Sequence, residues 1–167
     1  MATLKDRLQD DLKVAMRSRE TERRDTVRLL ISEVKRKEID LKHELNTAEE
    51  IQLLQSQAKQ RRDSIEQFRA GGRDDLAAKE EGQLRIIESY LPQQMTEDEL
   101  NDFIEEGIAQ TGASDPKDMG KLMGLLSKSA EGRIEGRRLS DAVRTRLTQV
   151  ASGRGDDTAG GSDATTR

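Results

Sequence analysis

The chain has 167 residues, of which 37% are charged and only 2% are aromatic, and its formal net charge is -4. It contains no cysteine, which excludes disulfides, thiolate metal ligands and a cysteine nucleophile. Its first residues are charged, and no apolar run approaches the roughly 20 residues that span a bilayer. We therefore expect no secretory leader and no membrane span, and we predict a cytoplasmic location.

Apolar residues recur with helical spacing through the first ninety residues, and period-two alternation is nearly absent. Four helices are predicted there. Their expected starts are Thr3, Thr21, Thr47 and Asp74 or Asp75. The third start is a capping box of Thr47 with Glu50. The apolar stripe of the first helix is expected to contain Leu4, Leu8, Leu12 and Met16.

Three further helices are predicted after Pro92. Thr96 and Glu99 form a second capping box, and the helix that follows ends near Gly112. Ser114 or Asp115 caps the next helix, with Pro116 in the first turn, where proline is tolerated. A turn from Gly132 to Gly136 leads to the last helix. The apolar faces of these helices contain Leu100, Phe103, Ile104 and Ile108, then Met119, Leu122, Met123 and Leu126, and finally Leu139, Val143, Leu147 and Val150.

The predicted fold class is therefore all-α. Residues 1–92 are expected to form an N-terminal helical bundle, and residues 93–151 a small C-terminal three-helix domain. Residues 152–167 have no hydrophobic face to bury and are predicted to be a disordered tail. Residues 97–106 are acidic without a base and residues 117–146 are net basic, which predicts a polarised surface on the second domain.

The sequence contains no catalytic constellation that we can identify. His43 is the only histidine and lies in a polar run, which is typical of a solvated surface residue. A zinc site would need further nitrogen or sulfur ligands, and no glycine-rich phosphate loop occurs. We therefore expect no catalytic residue, no metal site and no cofactor.

Two segments of the second domain are candidates for recognition. The first contains Gly120 and Gly124 with Lys121 between them. Two helical glycines four residues apart indicate a close backbone neighbour, which is either another helix, the favoured interpretation, or a polynucleotide with Lys121 beside it. The second runs from Lys128 to Arg138. Its basic residues and turn amides are explained equally well by phosphate contacts and by a simple helix connection.

The N-terminal block also contains basic residues, but they are interleaved with acids and favour an ordinary surface over nucleic-acid binding. Aromatic residues that would stack on bases are scarce. An alternative function is therefore a protein-interaction module that presents a helical groove, or the acidic face of residues 97–106, to a partner.

The order of the segments resembles the GatB/YqeY family, and within it the free-standing YqeY-like members. The resemblance runs from the first helix to about residue 150. Its most specific motifs are Glu88-Ser89-Tyr90-Leu91-Pro92-Gln93-Gln94, Asp118-Met119-Gly120-Lys121-Leu122-Met123-Gly124 and Gly132-Arg133.

The resemblance implies a larger N-terminal bundle and a C-terminal part similar to the tail of the B subunit of the aspartyl/glutamyl-tRNA amidotransferase. It implies tRNA as a partner and makes amidotransferase subunits candidates for further partners. We expect no DNA and no membrane partner. The resemblance links the chain to carbon-nitrogen ligase activity with glutamine as amide donor, but no catalytic centre of its own is expected. By motif, the candidates for RNA contact are Gly120, Lys121, Gly124, Lys128, Gly132 and Arg133.

Overall fold

A computed structural model describes the chain from Met1 to Asp156. In that range the protein contains seven α-helices and no strand, which confirms the all-α prediction. The helices are α1 (Leu4–Ser18), α2 (Thr21–Leu41), α3 (Thr47–Ala70), α4 (Asp74–Glu88), α5 (Glu97–Thr111), α6 (Met119–Ser129) and α7 (Gly136–Asp156). A 3-10 turn (Pro116–Asp118) leads into α6. Within the described range, no helix combines the length and the apolar character that crossing a bilayer requires.

The cap of α3 differs from the prediction by one residue. Asn46, and not Thr47, is the N-cap: its side chain accepts from the backbone N–H of Glu49 at 3.0 Å, and the Glu49 carboxylate accepts from the Asn46 backbone at 2.9 Å. Asparagine ranks at or above threonine as an N-cap, so the earlier residue takes the position. Glu50 is left to accept from the backbone N–H of Leu4 at 2.8 Å, which ties α3 to the start of α1.

The chain divides into two compact units, the first covering Met1–Gln93 and the second beginning at Gln94. In the first unit, α3 and α4 pack along each other, and three arginines of α3 pair with glutamates of α4. The pairs are Arg61 with Glu80 at 3.4 Å, Arg62 with Glu88 at 2.7 Å, and Arg69 with Glu81. The core of this unit contains Leu8, Val27, Leu30, Leu54, Ala58 and Ile87, each at most 2% exposed.

The apolar stripe of α1 ends earlier than predicted. Met16 is 53% exposed, whereas its neighbour Ala15 is fully buried. A spacing of four residues overshoots a full helical turn by about 40°, so a stripe built only on that spacing drifts off the buried face within three steps. Leu4 and Leu8 lie in the core, Leu12 is half-buried, and Met16 has turned to the surface.

Tyr90 anchors the end of α4 to the first two helices. It is only 4% exposed, and its hydroxyl donates to the Asp11 carboxylate on α1. Arg23 on α2 donates to the same carboxylate oxygen at 3.3 Å, and the Arg7 guanidinium lies 5.3 Å from the centre of the tyrosine ring. Burial, and secondly the bond to Asp11, raise the pKa of Tyr90 well above its ordinary value. Tyr90, as a neutral phenol, therefore links the end of α4 to α1 and α2.

The second unit has its own apolar core. Thr96 and Glu99 form the predicted capping box, and Gly112 ends α5 in the left-handed conformation. The residues buried between the helices are Leu100, Ile104, Leu122, Leu126, Leu139, Val143 and Leu147. Gly107 is the point of closest approach: a Cβ there would lie 2.6 Å from a methyl carbon of Leu126 and 2.9 Å from one of Leu122. The missing side chain of Gly107 is what lets α6 pack so closely on α5.

The last helix extends beyond the predicted start of the tail at residue 152. It continues to Asp156, and the Ser152 hydroxyl donates to the Thr148 carbonyl at 2.9 Å. Backbone N–H to C=O bonds one turn apart continue a helix without any apolar face to bury, which a hydrophobic pattern does not reveal. The rest of the predicted tail, residues 157–167, lies outside the described residues.

Candidate nucleic-acid interface

The α6 helix is placed by a short capped turn. The Asp115 side chain accepts from the backbone N–H of Lys117, and the Asp118 carboxylate accepts from the backbone N–H of Ser114 at 2.7 Å. Leu122 and Leu126 then bury one side of α6. The opposite side is exposed and contains Gly120, Lys121, Gly124 and Lys128, which we call the α6 face. The structure thus brings four of the six predicted RNA-contact residues onto one helix surface.

The two glycines of the α6 face do not pack against a helix. A Cβ built on either Gly120 or Gly124 would meet no atom within 4 Å. The favoured interpretation of these glycines, close helix packing, is therefore wrong, and Gly107 of α5 has that role. The spacing of glycines along the chain shows that they share a face, but it cannot show whether the core or the solvent lies in front of that face.

The two lysines of the α6 face differ in their contacts. Lys121 donates from Nζ to the carbonyl oxygen of Thr111 at 3.0 Å, so it caps the C-terminal end of α5, where a positive charge is favoured. Lys128 is exposed and has no hydrogen-bond or ion-pair partner among the side chains of residues 1–153. Lys117, which we did not single out as a site residue, is also exposed in the turn before α6. No acidic residue occurs within α6 itself.

Gly132 and Arg133 hold the segment before α5. Gly132 is buried with a positive φ of 78°, and its carbonyl accepts from the Gln94 side chain at 2.9 Å. The Arg133 carbonyl accepts from the Met95 backbone at 2.8 Å, and its guanidinium lies 3.2 Å from Glu99. Both residues therefore have structural partners, unlike the exposed glycines of α6. The hydrogen bond between Gln94 and Gly132 could not be found from sequence, because 38 residues separate the two groups.

The acidic segment of α5 is partly neutralised inside the unit. Glu97 pairs with Arg138, Glu99 with Arg133 and Glu105 with Arg146. Hydrogen bonding to the Thr96 backbone, and then to Arg133, lowers the pKa of Glu99, while the Glu105 carboxylate raises the pKa of Arg146. The sums of charge along the sequence therefore overstate the polarity of the surface. The segments expected to be acidic and basic meet and cancel at three points.

Other polar groups of the described chain form no cluster suited to catalysis that we can identify. His43 is exposed, and its Nδ1 lies 2.8 Å from the Glu44 carbonyl oxygen. Its Nε2 lies 3.5 Å from Glu49. Between residues 1 and 156, no three histidine, aspartate or glutamate side chains are grouped so that they could hold a metal ion.

A family model described as Yqey-like protein matches residues 5–147 of the chain. The chain is also similar to curated yeast proteins named Altered inheritance of mitochondria protein 41, mitochondrial. It is 40% identical to the Saccharomyces cerevisiae protein over 97 residues, which cover 56% of this chain and 51% of the relative. The Lachancea thermotolerans relative is 40% identical over 87 residues, with 52% and 46% covered. The Vanderwaltozyma polyspora relative is 39% identical over 87 residues, with 50% and 46% covered.

The chain spans about half the length of the curated relatives that it matches. Their names place these relatives in mitochondria, which contradicts the prediction of a cytoplasmic location, so that prediction is wrong. The prediction rested on the absence of cysteine and of an apolar leader. Those features distinguish reducing from oxidising compartments, but they do not distinguish one reducing compartment from another.

Proposed function

This chain belongs to the YqeY-like family, and from that membership and the α6 face we propose that it binds tRNA through the RNA backbone, without a catalytic centre of its own. The observation that carries the proposal is the exposure of Gly120 and Gly124 on the same helix face as Lys121 and Lys128. A glycine helix face lets a bulky polymer approach the protein backbone, and the flanking lysines supply the charge that phosphates need.

Local charge, and not the charge of the whole chain, supports a polyanionic ligand. The chain is net negative, so RNA would be repelled at long range and attracted only at a basic surface. Lys128 is exposed and has no partner in the part of the chain whose side chains the structure describes, and no acid on α6 competes with RNA for it. Arg133, Arg138 and Arg146 lie against carboxylates and contribute less.

The placement of the aromatic residues favours helical stems over single strands. Phe68 and Phe103 are half-buried, and Tyr90 is almost fully buried, so none of them offers an exposed ring on which bases could stack. Single-stranded RNA is recognised largely by such stacking, whereas duplex RNA is recognised by its shape and its phosphates. A tRNA consists mostly of stems, and we propose that the α6 face contacts one of them without reading its sequence.

The alternative function, a protein-interaction module with an acidic face, has less support. Three of the six acids in residues 97–106 are paired with arginines of their own unit. Partner binding through this face would have to displace those pairs or use only the remaining acids. The relation to amidotransferase subunits stays a proposal: in it, this chain would hold tRNA while partner subunits transfer the amide of glutamine.

We also propose that the two compact units are separate domains, as the sequence predicts. In support, each has its own apolar core, and the first unit ends at Gln93, close to Pro92. A fragment of residues 93–156 should therefore fold alone, with a helical circular dichroism spectrum and a cooperative thermal transition. A fragment that remains unfolded would show that the second unit depends on the first.

The test of RNA binding is a titration of the full chain with total tRNA at 50 and 200 mM salt. With two or three phosphate contacts, we expect affinity to fall by about 10- to 40-fold across this range, because each contact releases counterions. Lys128→Glu should weaken binding and reduce the salt dependence by about one ion, since its side chain has no structural partner to lose. Lys121→Gln removes a charge but retains a donor for the Thr111 carbonyl.

The matched control is Lys35→Glu, an exposed charge reversal on α2 of the other unit. It should leave tRNA affinity unchanged. Salt-insensitive binding, or equal losses from Lys35→Glu and Lys128→Glu, would remove the α6 face as the site. A homopolymeric single strand of equal length that bound better than a hairpin stem would contradict the duplex proposal, while the RNA role itself would stand.

A further inference from the structure

Two exposed residues extend the α6 face beyond the four residues that define it. Lys117 lies in the turn before α6, about 17 Å along the axis from Lys128. Ser127 lies between them, about 60° around the helix from Gly124. The Lys121 side chain, in contrast, reaches to the end of α5. The extended surface therefore has an exposed lysine at each end and small residues along its centre.

The hydroxyl of Ser127 differs from that of Ser129, which is also exposed on α6. Ser129 donates to the Leu125 carbonyl oxygen at 3.1 Å, and it lies about 140° around the helix from Gly124. The Ser127 hydroxyl has no hydrogen-bond partner among the side chains of residues 1–153 or the backbone that the structure describes. Ser127 thus offers both a donor and an acceptor to a ligand on the α6 face.

The glycines of the α6 face uncover the helix backbone itself. A carbonyl oxygen that has accepted its helical hydrogen bond still has a second lone pair. A side chain would cover part of this backbone, but Gly120 and Gly124 have none, and only open space lies where a Cβ would stand. The face can therefore accept hydrogen bonds from a broad ligand, in addition to the phosphate contacts that its lysines provide.

The dimensions of nucleic-acid grooves decide which ligand surface fits such a helix. The minor groove of B-DNA is about 6 Å wide, too narrow for a helix about 10 Å across. The DNA major groove admits a helix, but its base edges are read mainly by arginine, asparagine and glutamine, and α6 contains none of these. The minor groove of an A-form RNA stem is wide and shallow and displays 2′-hydroxyls, which both donate and accept hydrogen bonds. A helix with small residues at its centre can therefore contact these hydroxyls directly.

From these features we propose that α6 lies in the minor groove of an A-form RNA stem and binds its ribose 2′-hydroxyls. The contacts come from the Ser127 hydroxyl and from the backbone exposed at Gly120 and Gly124. Lys117 and Lys128 contact phosphates of the strands that border the groove. The inference rests on the proposed function, which names RNA, and adds the chemical group by which the protein distinguishes RNA from DNA.

The test compares three hairpins with one stem sequence, each titrated into the full chain. The first is RNA, the second is DNA, and the third is RNA with 2′-fluoro groups, which retains the A-form but has no 2′ donor. We expect DNA to bind about tenfold more weakly than RNA, because both the groove shape and the hydroxyls are lost. The 2′-fluoro hairpin should bind about fivefold more weakly, because only hydrogen bonds are lost.

Two variants with matched controls assign the contacts. Ser127→Ala should weaken RNA binding about threefold through the loss of one hydrogen bond and leave DNA affinity unchanged, whereas Ser129→Ala should change neither. Gly124→Ala places a methyl group in front of the exposed backbone, so it should weaken RNA binding about fivefold without lowering the melting temperature. Gly153→Ala, at an exposed glycine of α7 that also meets open space, should leave RNA affinity unchanged.

Equal affinity for the RNA and DNA hairpins would overturn minor-groove recognition, while tRNA binding itself would stand. A 2′-fluoro hairpin that binds as tightly as RNA would show that the hydroxyls are not contacted, and it would equally overturn the inference. Equal losses from Ser127→Ala and Ser129→Ala would contradict the contact assigned to Ser127. If neither total tRNA nor the RNA hairpin binds, the proposed function and this inference are both wrong.

Discussion

The two units of the protein manage their charges differently. In the first, acids and bases are equal in number along residues 1–90, and α3 and α4 pair them one against one, as in Arg62 with Glu88. In the second, acids and bases occupy separate stretches of sequence, and folding brings the acids of α5 against arginines such as Arg146. The lysines of α6 are not among the bases that pair with these acids.

This difference shows why charge summed along a sequence is a weak guide to a surface. The acidic stretch of residues 97–106 is the most extreme in the chain, yet half of its acids have partners within the unit. The α6 helix carries only two charges and no acid. A surface of moderate charge can therefore offer more charge to a ligand than a strongly charged segment does, because intramolecular ion pairs do not neutralise it.

The largest expected effects on stability come from cavities made in the cores of the two units. Leu30→Ala in the first unit and Leu122→Ala in the second should each cost about 3 kcal/mol, because both side chains are fully buried. Amide hydrogen exchange, followed residue by residue, should show lost protection in α1–α4 for the first variant and in α5–α7 for the second. Equal losses in both units from one substitution would contradict separate domains.

A smaller effect should distinguish the buried glycine from the exposed ones. Gly107→Val places atoms against Leu122 and Leu126 and should destabilise the second unit by about 2 kcal/mol through overpacking. Gly124→Ala meets open space and should stabilise α6 by about 1 kcal/mol, because alanine favours a helix. The same exchange experiment measures both. A destabilising Gly124→Ala would mean that α6 is covered after all.

In the first unit, Tyr90→Phe should cost about 1.5 kcal/mol at pH 8, because it removes the hydrogen bond to the Asp11 carboxylate. Tyrosine is the neutral form below its pKa, and folding raises that pKa, so the contribution is complete below pH 10 and declines as the pH rises further. The stability gap between the wild type and Tyr90→Phe should therefore narrow above pH 10. Urea unfolding at several pH values tests this, and a gap that widens would show the opposite sign.

The smallest effects are expected from the ion pairs that define the comparison. Double-mutant cycles on Arg62 with Glu88 and on Arg146 with Glu105 should give coupling energies below about 1 kcal/mol, since both pairs are partly exposed. Both values should shrink in 1 M salt. A coupling above about 2 kcal/mol in the second unit alone would mean that neutralising α5 is central to its stability.

The sequence predicts the helices well because their periodicity and their caps are local. Thr96, Asp74 and Gly112 have the predicted roles at helix ends. The third cap was missed because Asn46 competes with Thr47 one position away. The four-residue spacing predicted Met16 on the buried stripe of α1. Because the helix has 3.6 residues per turn, Met16 lies on the surface instead.

The candidate site was harder to predict because it depends on which residues of a helix face the solvent and which face the core. The first motif predicted Gly120, Lys121 and Gly124 on one helix, and the structure places Lys128, which the sequence assigned to a separate segment, on the same helix face. It could not tell open space from packing, nor show that Arg133 pairs with Glu99 across 34 residues.

The glycines of α6 have a consequence for anyone who wishes to copy this surface. The helix has only eleven residues, and two glycines each weaken it by about 1 kcal/mol relative to alanine. A synthetic peptide of residues 116–130 will therefore be unstructured in water and will make a poor competitor or immunogen. The proposed recognition surface depends on the packing of α6 against the rest of its unit through Leu122 and Leu126. A shortened protein that presents this surface must therefore include α5 with its Gly107.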